Sequence, residues 1–398
     1  MIPRKRLDIS WGAVWRGGFF CARPTTPESF QKRIESAWSP GDTSLVCLSV
    51  RSGFDALLGA LALPPGSELL VSAVTIPDIV RIVEAHGLVP VPVDIDMHRL
   101  ALRSGALARA VTPRARAVLV AHLFGSRMPM EEVLQVAREN GLLVIEDCAQ
   151  AYAGDGFRGH PESDVRMFSF GVIKTATALG GGILSFRQPE LGARVRLGMS
   201  AWPEQGRWRF LARVAKCALL MLLSFRPLYS LFAVGCRACG IDYDRAISGM
   251  ARGFRARDLF ARIRQRPAPA LLALLDLRLR TYDPAAVAKR VALACRFSSL
   301  MPALTRPGAG ASHHTYWLFP ILHQAPEALV RHLWANGFDA TQGGSSLVVV
   351  RPPEGRPAAR CAEAEHALAR VLYLPVNVGL SRRDIRRLAR AVNTYSTC

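Results

Sequence analysis

Between Ser44 and Phe186 the chain alternates short apolar runs with stretches of helical periodicity, and few architectures accept that rhythm. Residues 69–74 (Leu69-Leu70-Val71-Ser72-Ala73-Val74), 89–94, 117–122 and 142–146 read as strands, and Met167 to Phe170 as one more. Ile79 to His86 and Met130 to Asn140 repeat their apolar residues at helical spacing, and Ala56 to Leu63 reads as another helix. Strands that alternate with helices predict an α/β layer with a mostly parallel sheet sandwiched by helices. Such sheets hold their ligands at the carboxyl ends of the strands. Pro65-Gly66-Ser67 and Gly125-Ser126 punctuate the loops.

A chain of 398 residues is too long for one average domain. The rhythm breaks over about 201–254 and resumes in the last third. There Ala285 to Leu300, Glu327 to Asn336, Ala359 to Arg370 and Ser381 to Asn393 read as helices, and Thr315 to Leu322 reads as a strand. Gly337 is placed to end the second of these helices, and Ser381 with Asp384 makes a capping-box-like start for the last. The expected division is a large unit over 1–264, carrying the insertion, and a smaller C-terminal α/β unit over 265–398.

The insertion contains the strongly apolar segment Phe210 to Val234. A membrane span needs roughly 20 uninterrupted apolar residues. Arg213, Lys216 and Arg226-Pro227 interrupt this one. Three readings remain: a helical pair packed on the protein, a contact between copies, or a monotopic membrane patch flanked by basic residues.

The formal net charge is +20. The arginines are dispersed and do not interleave with aromatics, so nucleic acid is not expected as a partner. The positive field suits a phosphorylated or nucleotide-linked substrate. No secretory signal follows Met1, and the nine cysteines read as free thiols. The expected location is cytoplasmic, with peripheral contact at the inner membrane face as the alternative. Cys236-Arg237-Ala238-Cys239 has no second pair to complete a zinc site, and adjacent His313-His314 has no metal-ligand spacing, so no metal is expected.

Lysine is rare here: Lys5, Lys32, Lys174, Lys216 and Lys289 stand among 51 basic residues. Arginine can serve wherever only charge is needed, but it cannot form a Schiff base. Lys174 lies among small residues just before Leu179-Gly180-Gly181-Gly182, which suggests amine chemistry. Upstream, Leu142 to Glu146 is a buried-strand pattern that ends in Asp147. A strand-end carboxylate followed by a lysine is what a pyridoxal-phosphate (PLP) site needs: Asp147 keeps the pyridine nitrogen protonated and Lys174 supplies the amine. Gln150 could hydrogen-bond the cofactor ring, and the Ser169 hydroxyl could hold phosphate. Ser52-Gly53-Phe54 precedes the helix Ala56 to Leu63, and a helix N-terminus offers free N–H groups to phosphate. Each of these residues also has an ordinary structural reading, as a strand end, a loop residue or an N-cap.

Together the residues resemble the sugar aminotransferase family called DegT/DnrJ/EryC1/StrS, of PLP fold type I. The matching segments are Arg51-Ser52-Gly53, Ala73-Val74-Thr75, Pro92-Val93-Asp94-Ile95-Asp96, His122-Leu123-Phe124-Gly125, Val144 to Gln150, Phe168-Ser169-Phe170 and Lys174 with its glycines. The resemblance is closest over about 40–190. It implies catalytic roles for Lys174 and Asp147, and cofactor contacts from Ser52, Gly53, Phe54, Ile76, Asp147, Gln150, Ser169 and Lys174. It further implies transfer of an amino group, usually from glutamate, to a nucleotide-linked keto sugar in sugar or polysaccharide biosynthesis. Homodimers with shared sites are implied as well. The chain departs from the family at Phe54, where a hydroxyl residue is usual, at Ile76, where an aromatic is usual, and at Leu179-Gly180. The nearest candidate for the family's partner-lent Asn-x-Arg is Arg264-Gln265-Arg266. The competing expectations are a PLP dehydratase or lyase on the same scaffold, and a catalytically degenerate, membrane-associated member.

Overall fold

The computed structural model describes residues 1–23, 26–38, 43–239, 259–343, 346–356 and 359–396. Residues 240–254 of the expected insertion lie outside the described residues. The strands are β1 (Thr43–Cys47), β2 (Glu68–Ser72), β3 (Val74–Thr75), β4 (Val89–Val93), β5 (Ile95–Asp96), β6 (Ala101–Leu102), β7 (Ala115–Ala121), β8 (Leu143–Asp147), β9 (Val165–Ser169), β10 (Gly182–Phe186), β11 (Phe319–Leu322), β12 (Val348–Val349) and β13 (Val371–Leu374). Seven of them form one sheet in the order β1-β10-β9-β8-β7-β2-β4. Its run from β9 to β4 is parallel, and β10 and β1 close one edge antiparallel. This is the expected mostly parallel α/β layer. Its reversal at β10 has a local cause: the link from Ser169 to Gly182 is a loop without a crossover helix, so the chain turns back beside β9.

Helices cover both faces, and successive residues of a strand supply alternate faces. Leu69, Val71, Ala117, Leu119 and Ile145 pack with α3 (Val50–Leu61), α4 (Pro77–Ala85) and α7 (Pro189–Ser200). Leu70, Val118, Val120 and Val144 pack instead with α5 (Ala106–Ala110) and α6 (Glu131–Glu139). Two helices precede the sheet, α1 (Trp11–Ala22) and α2 (Pro27–Trp38). Their inner faces join Phe168, Phe170 and the buried helix Pro269–Arg280 in one core. That helix lies beyond residue 264, where the sequence reading starts the second unit.

The C-terminal part has its own core around Phe297, Phe319, Leu329, Leu333, Leu372, Ile385 and Leu388, and Ile2 joins it. β11 and β13 pair antiparallel within it. The expected strand over Thr315 to Leu322 is extended only from Phe319. Thr315 instead bonds Gly125 through both its N–H (2.8 Å) and its hydroxyl (3.0 Å), and Tyr316 takes φ +50°. The capping box at the last helix forms as expected: Asp384 N–H donates to the Ser381 hydroxyl (3.1 Å) and Ser381 N–H to the Asp384 carboxylate (3.0 Å).

The apolar segment forms two helices, α8 (Arg207–Leu223) and α9 (Arg226–Ala238), bent by 94° at their junction. No single described helix is long and apolar enough to cross a membrane. α8 inserts Phe210, Val214 and Cys217 into the core shared with α1. α9 is tied to the C-terminal unit by Tyr229 hydroxyl on Asp339 and by Arg226 on Asp384 (2.8 Å).

Candidate active site

Asp147 and Ser169 end the neighbouring parallel strands β8 and β9, with Asp147 in register with Met167, two residues before Ser169. The chain leaves β9 into the loop that carries Lys174, whose N–H donates to Gly171 carbonyl at 2.9 Å. A side chain at Gly171 would start 3.7 Å from Ser169 Oγ and 3.9 Å from Lys174 Cγ, so these two groups border the same space. Burial lowers the Lys174 amine from 10.5 to about 8, against the attraction of Asp147 and together with the repulsion of Arg51. Burial also raises the Asp147 carboxyl above its ordinary range, although Ala149 N–H (2.9 Å), Lys174, His122 and Arg51 all favour its charge. Among the described residues no ion pair satisfies Asp147. A buried carboxylate with cations nearby but none in direct contact fits a protonated ring nitrogen.

The phosphate end of the site differs from the sequence expectation. The helix begins at Val50, six residues before the expected Ala56: Ser49 caps α3 and accepts from Ser52 N–H at 3.2 Å, and Ser52 and Ser49 hydroxyls meet at 3.0 Å. Gly53 N–H is taken by Ser49 carbonyl at 3.1 Å. Gly53 serves close packing instead, since a side chain there would start 2.3 Å from Leu184 Cδ1. Phe54 is fully buried in the core under the sheet. Neither Gly53 nor Phe54 therefore faces phosphate, because the fourth and fifth helical positions already bond within the turn. What remains is the open first turn of α3 at Val50 and Arg51, close to Ser169. Gly182 pairs with Ser169, and a Cβ on Gly182 would lie 2.6 Å from Val50 N and 2.8 Å from Ser49 C. The missing side chain lets the helix N-terminus sit directly over the end of β9, which fits a phosphate.

Gln150 also has a partner within the protein. Its Oε1 accepts from Phe124 N–H at 2.7 Å and holds the turn where Phe124 and Gly125 take φ +58° and +97°. Ile76 stands at the N-cap of α4, partly buried against the core below α3. Arg264 forms a two-bond pair with the buried Asp55 at 2.8 and 3.0 Å. His122, Glu146 and Cys148 are the one cluster among the described residues with metal-ligand spacing. Its groups have protein partners: His122 Nδ1 accepts from Met128 N–H (2.9 Å), His122 Nε2 meets Glu146 (2.8 Å), and Glu146 also accepts from His160 N–H (2.7 Å). His314 stacks on Tyr316 at 4.2 Å between ring centroids.

Three neighbours of Lys174 were not named as site residues from the sequence. Arg51 faces both Lys174 and Asp147 electrostatically, while its Nε bonds Asp78 at 2.5 Å. Trp317 sets its indole 4.3 Å from Lys174 Nζ and donates its ring N–H to Ile173 carbonyl at 3.0 Å. Lys5 Nζ lies 3.7 Å from the centroid of the same indole, buried and without a hydrogen-bond partner. Burial, Lys174 and Arg290 all lower its pKa. Lys5 was countable as one of five lysines, but only tertiary contact brings it here. Trp317 and Lys5 line a cleft of about 620 Å³, whose other walls include Asp8, Arg16, Arg278 and Arg290. Its charge is mostly positive.

Residues 31–208 match the DegT/DnrJ/EryC1/StrS aminotransferase family. Protein MosB of Rhizobium meliloti is 33% identical over 171 residues, which are 42% of this chain and 33% of MosB. GDP-perosamine synthase of Caulobacter vibrioides is 32% identical over 170 residues, 42% of this chain and 46% of that protein. The match spans less than half the length of either relative. The structure of NtdA from Bacillus subtilis, solved with bound cofactor PMP, aligns over 100% of this chain and 85% of its own with a TM-score of 0.70 at 18% identity. The likeness of folds is thus chain-wide, while the likeness of sequence is confined to the half that carries Asp147, Ser169 and Lys174. Through residues 31–208, the chain is thus similar to the DegT/DnrJ/EryC1/StrS aminotransferase family.

Proposed function

We propose that this protein is a PLP-dependent aminotransferase that moves an amino group, with glutamate as the expected donor, onto a nucleotide-linked keto sugar. The observation that carries it is the Lys174 amine, with a pKa of about 8, bordering the same space as Ser169 and electrostatically coupled to the unpaired Asp147. The residues fit the cofactor. Lys174 would hold it covalently, Asp147 would balance its ring nitrogen, and Ser169 with the first turn of α3 would hold its phosphate. When bound, PLP supplies the electron sink for the donor's α-carbon. Lys174 Nζ has a pKa near working pH, so it can take a proton from carbon and return it at little cost. Trp317 holds the Lys174 loop through Ile173 carbonyl and covers the amine with its ring. The basic cleft beside Trp317 suits an anionic acceptor.

Four finer points belong to this proposal. Copies pair with shared sites, as the family resemblance implies. The protein works in the cytoplasm. The segment 210–234 makes peripheral contact with the inner face of a membrane. The second structural unit begins after the helix Pro269–Arg280, since that helix shares its core with Phe168 and Phe170.

The test is spectroscopic. Purified protein with PLP should absorb in the visible, and glutamate should bleach that band in a half-reaction. A Lys174→Ala protein that kept a borohydride-reducible adduct in the site would overturn the assignment.

A further inference from the structure

Twelve large apolar side chains are exposed among the described residues, and ten of them lie on α1, α8, α9 and the turn between the last two. Exposed apolar surface on this protein is therefore concentrated, not scattered. On α1, Trp11, Trp15 and Phe19 follow at four-residue spacing and share one face; Trp15 is 76% exposed. The opposite face, with Ala13, Val14, Gly17 and Cys21, is buried. Gly17 lets α1 lie close on its neighbours, since a Cβ there would start 3.3 Å from Leu274 and 3.4 Å from Val214 of α8. Over the 94° bend, Leu219, Leu222, Phe225, Leu228, Leu231 and Val234 present every third residue to solvent. The inner sides of α8 and α9 are fixed by Val214 and Cys217 in the core and by Tyr229 on Asp339. The bent pair therefore lies on the protein.

Charge separates a lipid surface from a second copy as the occupant. α1, α8 and α9 contain no aspartate or glutamate. Their exposed polar side chains include Arg16, Arg207, Arg209 and Lys216. A two-fold contact through this face would set like charges against each other with no acid on the same helices to balance them. Anionic headgroups complement the same cations, long basic stems can reach up to them from an apolar bed, and tryptophans favour that boundary.

We propose that α1, α8 and α9 form one composite, monotopic docking face for an anionic lipid bilayer. This rests on the membrane contact proposed for 210–234 and adds α1 and the lipid charge to it. It does not depend on the amino-transfer reading.

The test is sedimentation of the full chain with vesicles of phosphatidylcholine, with and without phosphatidylglycerol. Trp15→Ser with Phe19→Ser tests α1, and Leu228→Ser with Leu231→Ser tests α9. Far-ultraviolet circular dichroism and a thermal melt of each variant serve as the folding control. The expected result is binding that requires phosphatidylglycerol, weakens in high salt, and drops at least about tenfold in each double variant. Unchanged binding of the α1 variant beside loss in the α9 variant would overturn the composite face and leave the 210–234 contact standing. Equal binding to both vesicle types would overturn the role of lipid charge. Absence of binding would overturn both readings. An α1 variant that splits a dimer in lipid-free solution and leaves sedimentation unchanged would assign α1 to a contact between copies and overturn the composite face.

Discussion

The Lys174 amine nitrogen stands 4.3 Å from the centroid of the Trp317 indole, and the indole N–H closes the contact from the other side by donating to Ile173 carbonyl at 3.0 Å. One residue of the C-terminal part thus holds both the reactive amine and the backbone that carries it. An indole face favours the protonated amine, in opposition to burial.

Replacement of Trp317 should therefore separate two effects. Trp317→Phe keeps a ring but loses the bond to Ile173, and should lower the rate of the glutamate half-reaction by about tenfold. Trp317→Ala loses both contacts and should fall further, with PLP still attached in each case. Stopped-flow bleaching of the visible band measures the rate, and equal rates in both variants would contradict the role given to the ring.

The buried amine also predicts how stability depends on pH. Its folded pKa of about 8 lies below its ordinary 10.5. Below pH 8 folding carries the full cost of the buried charge. Between these values the unfolded chain binds more protons than the folded one, so stability rises with pH. Lys174→Met removes the cost. The cofactor-free variant should be more stable than the parent by about 1–2 kcal/mol at pH 7, a figure below the full shift because the side chain is only part-buried. The gap should close toward pH 10.5, as followed by urea unfolding.

Gly182 should tolerate no side chain. A Cβ there would meet Val50 N at 2.6 Å and Ser49 C at 2.8 Å, and both are backbone atoms. Gly182→Ala should lift the N-terminus of α3 from the end of β9, at about 1–3 kcal/mol of stability. PLP affinity should fall with it, because the helix turn and Ser169 would no longer meet. Thermal melting and PLP titration check the two consequences separately.

Asp147→Asn keeps the size of the side chain and its bond from Ala149 N–H. It removes a carboxylate that burial already disfavours, so the cofactor-free protein should not lose stability. Amino transfer should drop by about a hundredfold or more, because a neutral amide no longer keeps the ring nitrogen protonated. Undiminished turnover would remove Asp147 from the mechanism.

Much of this architecture was legible in the sequence. The alternating rhythm from Ser44 to Phe186 gave the parallel sheet, because side-chain period and crossover length are local properties. Lys174, Asp147 and Ser169 stand out in the sequence because the proposed chemistry needs an amine, a carboxylate and a hydroxyl at or just after strand ends. α3 starts six residues before the expected Ala56, and both Ser49 and Ser52 are residues that can cap a helix. The choice fell to Ser49 because Gly53 and Phe54 pack against Leu184 and the sheet. α1 was not predicted at all: its tryptophans face outward and its buried face is made of small residues, so its apolar pattern does not read as a core helix.

The sequence by itself determined the fold class, the amine and the carboxylate, since each rests on periodicity or on the identity of one residue. The tertiary structure alone decided what surrounds them. Trp317 and Lys5 reach the site from opposite ends of the chain, Gly53 and Phe54 leave it, and α1 comes to lie beside α8. These outcomes depend on packing between segments remote in sequence, and no local pattern encodes which distant surfaces will meet.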